Sequence, residues 1–210
     1  MTGQFSPAFR EELAALMRWR RDVRRFRTDP VPEDLLARGF QAFTLAPSVG
    51  LSEPWRILRV DSAPARDACL ANFRACNARA LDGFDGDRAA TYSRLKLTGM
   101  AEAPVHLAVF CDDGTEKGHG LGALTMPETR AFSVVGAITH LWLALRAEGL
   151  GLGWVSILDP TRLARDLDVP DGWRFIGYLC IGWPETEDTM PELERAGWET
   201  RSPTLHLETR

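Results

Sequence analysis

The most hydrophobic helical pattern in the chain, over residues 128–148, limits the folds that are open to it. Its apolar residues recur at helical spacing and cover more than one face of the helix: Val134, Val135, Ala137, Ile138, Leu141, Trp142 and Leu145. A helix that is apolar around so much of its surface has to be buried. We therefore expect it at the centre of a domain or in an interface between two subunits.

Weaker patterns predict a small sheet and further helices. Apolar runs and alternation predict strands at residues 56–60, 105–111 and 175–183, and a short strand within the glycine run that begins at Gly149. Prolines, capping residues and helical spacing predict helices from Pro7 into an arginine-rich segment and over residues 32–47, 64–81, 87–100 and 161–167. This order predicts an α+β fold, a small sheet with helices around it, one of them central.

The whole chain, residues 1–210, is expected to form one domain. Its 210 residues are 45% hydrophobic and 26% charged, which is enough for one substantial core, and no repeat or linker divides them. The last segment, residues 184–210, is polar and interrupted by prolines, so it cannot build a core of its own. We interpret it as a C-terminal extension that wraps around a partner subunit.

Composition argues against several kinds of partner. The net charge of -4 offers no general attraction for nucleic acid or for an anionic membrane surface. The four cysteines show no C-x-x-C spacing and no histidine lies suitably near them, so we expect no metal site. Residues 1–9 lack the basic and apolar regions of a signal peptide, and no apolar run is long enough to span a membrane. We expect a cytoplasmic protein.

One segment is strongly cationic in this mildly acidic chain: Arg20-Arg21-Asp22-Val23-Arg24-Arg25-Phe26. On a helical path Arg20 and Arg24 would share a face, where two guanidinium groups could hold one phosphate by bidentate hydrogen bonds. Two alternatives stay open. The cations could instead complement the C-terminal end of a helix dipole, and Asp22 could form an ion pair with Arg21 or Arg25 rather than take part in chemistry.

Two glycine-rich stretches are candidates for contact with a ligand. The run from Gly149 to Ile157 contains three glycines at alternate positions, which would let the backbone approach a flat ligand. At its end, the Ser156 hydroxyl could either serve the site or form a hydrogen bond within the sheet. Residues 112–127 contain four glycines but lack the order of a phosphate loop or a dinucleotide site, so we interpret them as a mobile loop or lid.

Three motifs, in this order, resemble those of the nitroreductase-fold flavoproteins. They are the segment Arg20-Arg21-Asp22-Val23-Arg24, the segment Ala46-Pro47-Ser48-Val49-Gly50 with Pro54-Trp55, and the run from Gly149 to Ser156. The carboxylate at Asp22, the run Tyr92-Ser93-Arg94-Leu95-Lys96-Leu97 and the segment Trp154-Val155-Ser156-Ile157 make the chain most similar to the 5,6-dimethylbenzimidazole synthases of that superfamily. The resemblance implies a nitroreductase-like fold with a small central mixed or antiparallel sheet, and a homodimer with FMN sites at its interface.

The resemblance also implies a site. The residues implied for FMN binding are Arg20, Arg21, Asp22, Val23, Arg24, Ser48, Leu97, Gly151, Leu152, Ser156 and Arg201. The three N-terminal arginines would contact the phosphate and ribityl chain, Ser48 would lie beside the flavin, and Arg201 would add a phosphate contact. Asp22 and Ser156 would be the catalytic residues.

The activity implied is the oxygen-dependent fragmentation and contraction of reduced FMN to 5,6-dimethylbenzimidazole, the lower ligand of cobalamin, with release of erythrose 4-phosphate. FMN is then a substrate, and an external flavin reductase has to supply it in reduced form. Two other functions stay open: an NAD(P)H-dependent nitroreductase that recycles its FMN, and a flavin-binding redox sensor without catalysis. An open flavin face for nicotinamide would favour the nitroreductase, whereas a lid formed by residues 112–127 would exclude nicotinamide.

Overall fold

The apolar helix predicted from the sequence lies against one face of a four-stranded sheet in the computed structural model, which describes residues 3–210. The strands are β1 (Trp55–Arg59), β2 (Val105–Asp112), β3 (Gly151–Val155) and β4 (Trp173–Gly182). Their order is β1-β2-β4-β3, and each neighbouring pair is antiparallel. The first two residues of the predicted domain, and of the N-terminal segment 1–9, lie outside the described residues.

Seven α-helices and one turn of 3-10 helix (Val49–Leu51) are present in residues 3–210. The α-helices are α1 (Pro7–Trp19), α2 (Glu33–Thr44), α3 (Ala63–Leu81), α4 (Gly86–Arg94), α5 (Thr129–Ala147), α6 (Pro160–Asp166) and α7 (Glu192–Arg195). The six predicted helices are all present in the predicted order, α7 was not predicted, and the α+β prediction is confirmed. Two ends were placed wrongly, because α1 stops before the arginine segment and α4 stops at Arg94 rather than near residue 100.

The sheet is buried on both faces. On one face α5 buries Ile138, Leu141 and Leu145 completely, against β-strand residues such as Leu107 and Leu179, with α2 packed beside α5. On the other face α3 and α6 cover a second apolar cluster. The predicted burial of α5 is therefore confirmed for most of its apolar residues, but Val135 is 41% exposed.

The arginine segment 20–26 is extended and not helical. Arg20 closes α1 with a ψ of 118°, and beyond it Asp22 forms an isolated parallel bridge to Leu152 in β3. The backbone N–H of Val23 donates to the Leu152 carbonyl over 3.0 Å. Strand β3 is the edge of the sheet, and its outer backbone groups need partners, which this segment supplies. Arg20 and Arg24 therefore do not share a helix face, and the proposed i,i+4 clamp is wrong.

The first residues of the C-terminal extension pair with the arginine segment of the same chain. Phe26 forms an antiparallel bridge with Pro184, and the backbone N–H of Glu185 donates to the Arg25 carbonyl over 3.1 Å. Its wrapping around a partner subunit stays a prediction. Among residues 3–210 there is no helix that combines the length and hydrophobicity needed to cross a membrane.

Candidate active site

Asp22 is held by two donors that come from different parts of the chain. One carboxylate oxygen, Oδ1, accepts a hydrogen bond from the backbone N–H of Trp154 over 2.8 Å. The other, Oδ2, accepts from Nε of Arg24, also over 2.8 Å, and the Asp22 side chain keeps 30% of its surface exposed. The ion pair proposed for Asp22 therefore exists, but its partner is Arg24 and not Arg21 or Arg25. The carboxylate has one fixed orientation and remains accessible to a ligand.

Arg24 is the more deeply placed member of this pair. Its side chain is only 13% exposed, and its Nη1 donates to the Lys96 carbonyl over 3.2 Å. That contact places the segment containing Leu97 next to the arginine segment. Within residues 3–210, Nη2 of Arg24 makes no hydrogen bond, which leaves it available to an anion.

The glycines of β3 make room for the arginine segment itself. A Cβ atom on Gly153 would lie 2.0 Å from the carbonyl oxygen of Val23, and one on Gly151 would lie 2.7 Å from Cγ2 of Val23. Such distances are far inside van der Waals contact. Gly151 and Gly153 were expected to let the backbone approach a flat ligand, but the close approach seen here is that of residues 22–24. The two sequence motifs are thus one packed unit.

Four arginines meet around one cavity. It has a volume of about 270 Å³ and is lined by Arg20, Arg21, Asp22, Arg24, Pro191, Glu192, Leu193 and Arg201. The guanidinium carbon of Arg20 lies 4.6 Å from the centroid of the Trp142 ring, and within residues 3–210 the side chains of Arg20 and Arg201 make no hydrogen bond. A second cavity of about 410 Å³ shares Arg21, Asp22 and Arg24 with the first.

Arg21 differs from its neighbours because it is tied to the C-terminal extension. Its Nε donates to the Thr189 carbonyl over 2.7 Å, Nη2 donates to the same oxygen, and Nη1 donates to the Arg20 carbonyl. The pKa of Arg21 is lowered, first by burial and then by the positive charges of Arg201 and Arg20. This mutual repulsion means that an anion bound among these groups would be stabilised.

The remaining predicted site residues lie elsewhere. Ser48 precedes the 3-10 turn, where its Oγ accepts from the backbone N–H of Glu53 over 3.1 Å. Ser156 follows β3 and is exposed, and in the described chain its hydroxyl makes no hydrogen bond, so the alternative of pairing within the sheet is wrong. Neither serine lines the two cavities at the arginine segment.

The loop 112–127 packs on the segment that contains Ser48. A Cβ on Gly118 would lie 2.4 Å from the carbonyl oxygen of Gly50, and Lys117 forms an ion pair with Glu53. Gly118 has a φ of +82°, which favours glycine for a second reason. Movement of this loop as a lid stays a prediction.

Sequence reasoning missed the groups that fix the site. The backbone N–H of Trp154, the carbonyls of Lys96 and Thr189, and the ring of Trp142 all contact the segment 20–24. Backbone groups carry no sequence signal of their own. Trp142 was interpreted as one of the apolar residues of α5, so no sequence signal assigned it to the site.

The chain matches a family model and two enzymes over most of its length. The model of the nitroreductase family matches residues 17–183. The chain is 56% identical over 199 residues to a 5,6-dimethylbenzimidazole synthase of Rhodospirillum rubrum, covering 95% of this chain and 94% of the relative. It is 48% identical over 200 residues to a 5,6-dimethylbenzimidazole synthase of Rhodobacter capsulatus, covering 95% and 97%.

A solved structure has the same fold. Oxidized iodotyrosine deiodinase, bound to FMN and 3-iodo-L-tyrosine, superposes with a TM-score of 0.70 and 22% sequence identity. The match covers 94% of this chain and 97% of the other. At this identity the likeness concerns the fold alone.

Proposed function

The chain belongs to the nitroreductase family, and from this premise we propose that it converts reduced FMN and oxygen into 5,6-dimethylbenzimidazole and erythrose 4-phosphate, with the pyrimidine part of the flavin ring released as a third, oxygen-containing fragment. The synthases at 56% and 48% identity support this choice within the family. One observation on the site carries it furthest: Asp22 lies at a cavity lined by four arginines, fixed by Arg24 and by the Trp154 N–H. A flavin that is only a returning cofactor has no evident use for a fixed carboxylate beside its ribityl chain.

The cavity has the chemistry to hold the phosphate of FMN. Arg20 and Arg201 offer guanidinium groups without a hydrogen-bonding partner among residues 3–210, and Arg24 offers its Nη2. Charge-assisted hydrogen bonds from guanidinium to phosphate are among the strongest in proteins. We assign the phosphate to Arg20, Arg24 and Arg201, with Arg21 holding the C-terminal extension in place.

The rest of the FMN site is assigned as the resemblance implies. Leu97 adjoins the Lys96 carbonyl that Arg24 contacts, and Gly151 and Leu152 lie on the strand that pairs with residues 22–24. Ser48 does not line the cavity of its own subunit. We therefore assign completion of the site to a homodimer, in which a second copy of the chain brings its Ser48 to the flavin.

Bound as the substrate, reduced FMN supplies the electrons for oxygen and the carbon atoms of the aromatic product. Asp22 transfers a proton at C1′ of the ribityl chain, a role for which a positioned carboxylate is suited. Arg24 and the Trp154 N–H keep the carboxylate in place, so that no orientation has to be found during the reaction. Ser156, exposed at the end of β3, orients the flavin ring.

Incubation of the purified protein with chemically reduced FMN in air, followed by chromatography, tests this function. We expect one 5,6-dimethylbenzimidazole for each FMN consumed, no product without oxygen, and poor turnover of riboflavin, which lacks the phosphate. A separate flavin reductase with NADH should replace the chemical reductant. Full recovery of FMN with no benzimidazole, together with rapid NADPH oxidation by the protein alone, would instead identify a nitroreductase. Binding without either reaction would indicate a sensor.

A further inference from the structure

A cluster of aromatic rings captures the C-terminal extension on the surface of its own subunit. The ring of Trp198 lies edge-on to Phe84, with centroids 5.4 Å apart, and 6.0 Å from the ring of Tyr92. The guanidinium carbon of Arg88 stacks 4.6 Å from the Trp198 centroid, and its Nη1 donates to the Trp198 carbonyl over 2.7 Å. We call these four residues, Phe84, Arg88, Tyr92 and Trp198, the Trp198 clamp.

The receiving side of the clamp is anchored in the fold. Tyr92 is buried in α4 and donates from its hydroxyl to Oδ1 of Asn77 in α3 over 2.7 Å. Phe84, in the turn between these helices, stacks on Tyr92 with centroids 4.9 Å apart. Trp198 therefore packs on a surface that Tyr92 and Phe84 already form. Ring pairs of this geometry stabilise such a contact beyond the burial of apolar area.

A turn at Gly197 brings Trp198 into contact with that surface. After α7, the N–H of Trp198 donates to the Leu193 carbonyl and the N–H of Gly197 donates to the Glu194 carbonyl, over 2.9 and 3.0 Å. Gly197 has a φ of +71°, so the helix ends in the left-handed turn that glycine favours. The turn reverses the chain directly before Trp198.

Trp198 is the last fixed point of the extension. In the described chain, the hydrogen bonds made by residues 199–210 join only residues of that segment to one another. Arg201 follows three residues after Trp198, a span of roughly 10 Å at most. Its guanidinium group lines the same cavity as Arg20, Arg21 and Arg24, which lie at the other end of the sequence.

Contacts upstream of the clamp do not fix Arg201. Arg21 holds Thr189, Arg25 lies 3.7 Å from Glu192, and Arg195 pairs with Asp188 over 2.9 Å. These contacts secure residues 188–195 beside the arginine segment. If the chain between residue 195 and Arg201 were flexible, the Arg201 side chain would sample many positions. Fixing it on ligand binding would then cost conformational entropy and weaken the affinity.

We infer that the Trp198 clamp is a positioning device for phosphate recognition, which holds Arg201 at the arginine cavity of the same subunit. This inference rests on the proposed function, because it takes the anion in the cavity to be the phosphate of FMN. Trp198 and Arg88 act through Arg201 and do not touch the ligand. Their contribution should therefore disappear when the ligand has no phosphate or when Arg201 is removed.

The test compares binding of oxidised FMN and riboflavin, by quenching of flavin fluorescence, without any turnover. We expect Arg201→Ala to weaken FMN binding about tenfold, the effect of one lost charge-assisted hydrogen bond, and to leave riboflavin binding unchanged. Trp198→Ala and Arg88→Ala should produce the same selective loss. Trp198→Phe keeps a ring for Phe84 and Arg88 and should retain most of the discrimination.

The double variant Trp198→Ala/Arg201→Ala decides how the clamp acts. If the clamp works through Arg201, the double variant binds FMN no more weakly than Arg201→Ala alone. Leu205→Ala, in the exposed end of the same extension, is the matched control and should bind like the wild type. An unchanged ratio of FMN to riboflavin affinity in both Trp198→Ala and Arg88→Ala would overturn the inference, as would additive losses in the double variant.

The same measurements separate this inference from the proposed function. A wild-type protein that prefers FMN to riboflavin but yields no benzimidazole would contradict the proposed reaction. The role of the Trp198 clamp would still be tested by the FMN and riboflavin affinities of its variants. Benzimidazole formation that survives with an unchanged affinity ratio in the clamp variants would support the reaction and reject the clamp.

Discussion

At the scale of single residues, Asp22 and Arg24 form a unit whose members have different tasks. The carboxylate bonds through both oxygens, to Arg24 and to Trp154, whereas Arg24 has Nη2 left for a ligand. Asp22→Asn should keep FMN affinity close to that of the wild type, because the amide oxygen still accepts from the Trp154 N–H. The amide nitrogen cannot accept from Nε of Arg24, but Arg24 keeps its charge for the phosphate. Benzimidazole formation should fall at least about a hundredfold with the loss of the proton carrier.

Arg24→Ala should fail at the binding step. We expect a loss of roughly 2 kcal/mol or more in FMN affinity, the scale of unmade charge-assisted hydrogen bonds. Arg25→Ala is the control, because this neighbour is half-exposed and its pair with Glu192 is 3.7 Å long. Fluorescence titration and chromatographic product analysis on all three variants give the answer. Abolished binding in Asp22→Asn together with intact binding in Arg24→Ala would mean that the roles are reversed.

His106 gives a residue-scale prediction about pH and stability. It is buried on the face of the sheet opposite α5, with Nε2 2.9 Å from the Ala103 carbonyl and Nδ1 2.8 Å from the Tyr178 hydroxyl. A carbonyl only accepts, so Nε2 carries the proton and Nδ1 accepts from Tyr178. Burial, and then the charge of Arg66, lowers the pKa of His106 from 6.5 to about 4.

Between those two values the unfolded chain binds a proton at this position and the folded chain does not. The contribution of neutral His106 is therefore fully present above about pH 6.5 and is lost as the pH falls toward 4, a change of roughly 3 kcal/mol in the free energy of unfolding. Urea unfolding at several pH values should show this slope in the wild type. His106→Gln should show a flatter dependence over the same interval, and an equal slope in both proteins would assign it to other groups.

At the scale of elements, the contact between β3 and residues 22–24 is the most tightly packed contact of the candidate site. Gly153→Ala would place a methyl group 2.0 Å from the Val23 carbonyl oxygen, so strand and segment would have to separate. We expect a loss of about 2 kcal/mol or more in the free energy of unfolding, as for other overpacked positions. FMN affinity should fall as well, since Asp22 and Arg24 depend on this contact.

Gly114→Ala is the matched control for that change. It lies in the turn after β2, where the nearest atom to an added Cβ would be Oδ1 of Asp112 at 3.6 Å, an ordinary contact. Urea unfolding of both variants is the measurement. Similar stabilities for Gly153→Ala and Gly114→Ala would show that β3 and the arginine segment can move apart without cost.

At the scale of the whole molecule, apolar surface left exposed by one chain predicts a homodimer. Phe132 and Val135 on α5 are 59% and 41% exposed, and α1, which has no buried residue, exposes Phe9 and Met17. An apolar groove of about 510 Å³ lies between α1 and the end of α5. Surface of this kind on a central helix is typical of an interface between subunits.

Light scattering should therefore give the mass of two chains. Val135→Glu should yield monomers, because a carboxylate would be buried without a partner in the interface. Arg165→Glu, an exposed change on α6 on the opposite side of the sheet, should remain dimeric. If the monomer binds FMN as tightly as the wild type, the site does not need Ser48 of a second subunit, and our placement of that residue would be wrong.

The sequence by itself determined the four strands, six of the seven α-helices of the described residues, and their order. Helix α1 begins where Ser6 and Pro7 predict it, with the Ser6 hydroxyl accepting from the Phe9 N–H, and α5 is buried because its apolar residues cover more than one face. These signals are short in range, since capping, spacing and alternation act between residues a few positions apart. The residue types of the site, arginines around one carboxylate, could also be identified from the sequence.

Only the tertiary structure decided how the site is built. The segment 20–26 continues the charge pattern of a helix end, yet it is extended because the edge of β3, more than a hundred residues away, offers backbone partners. This pairing explains why Asp22 bonds to Arg24 and why Gly153 has no room for a Cβ atom. The C-terminal extension, which folds back onto the arginine segment, explains why Arg201 lies at the cavity. Sequence periodicity cannot predict them, because they are contacts between edges and backbones that meet only when the chain has closed on itself.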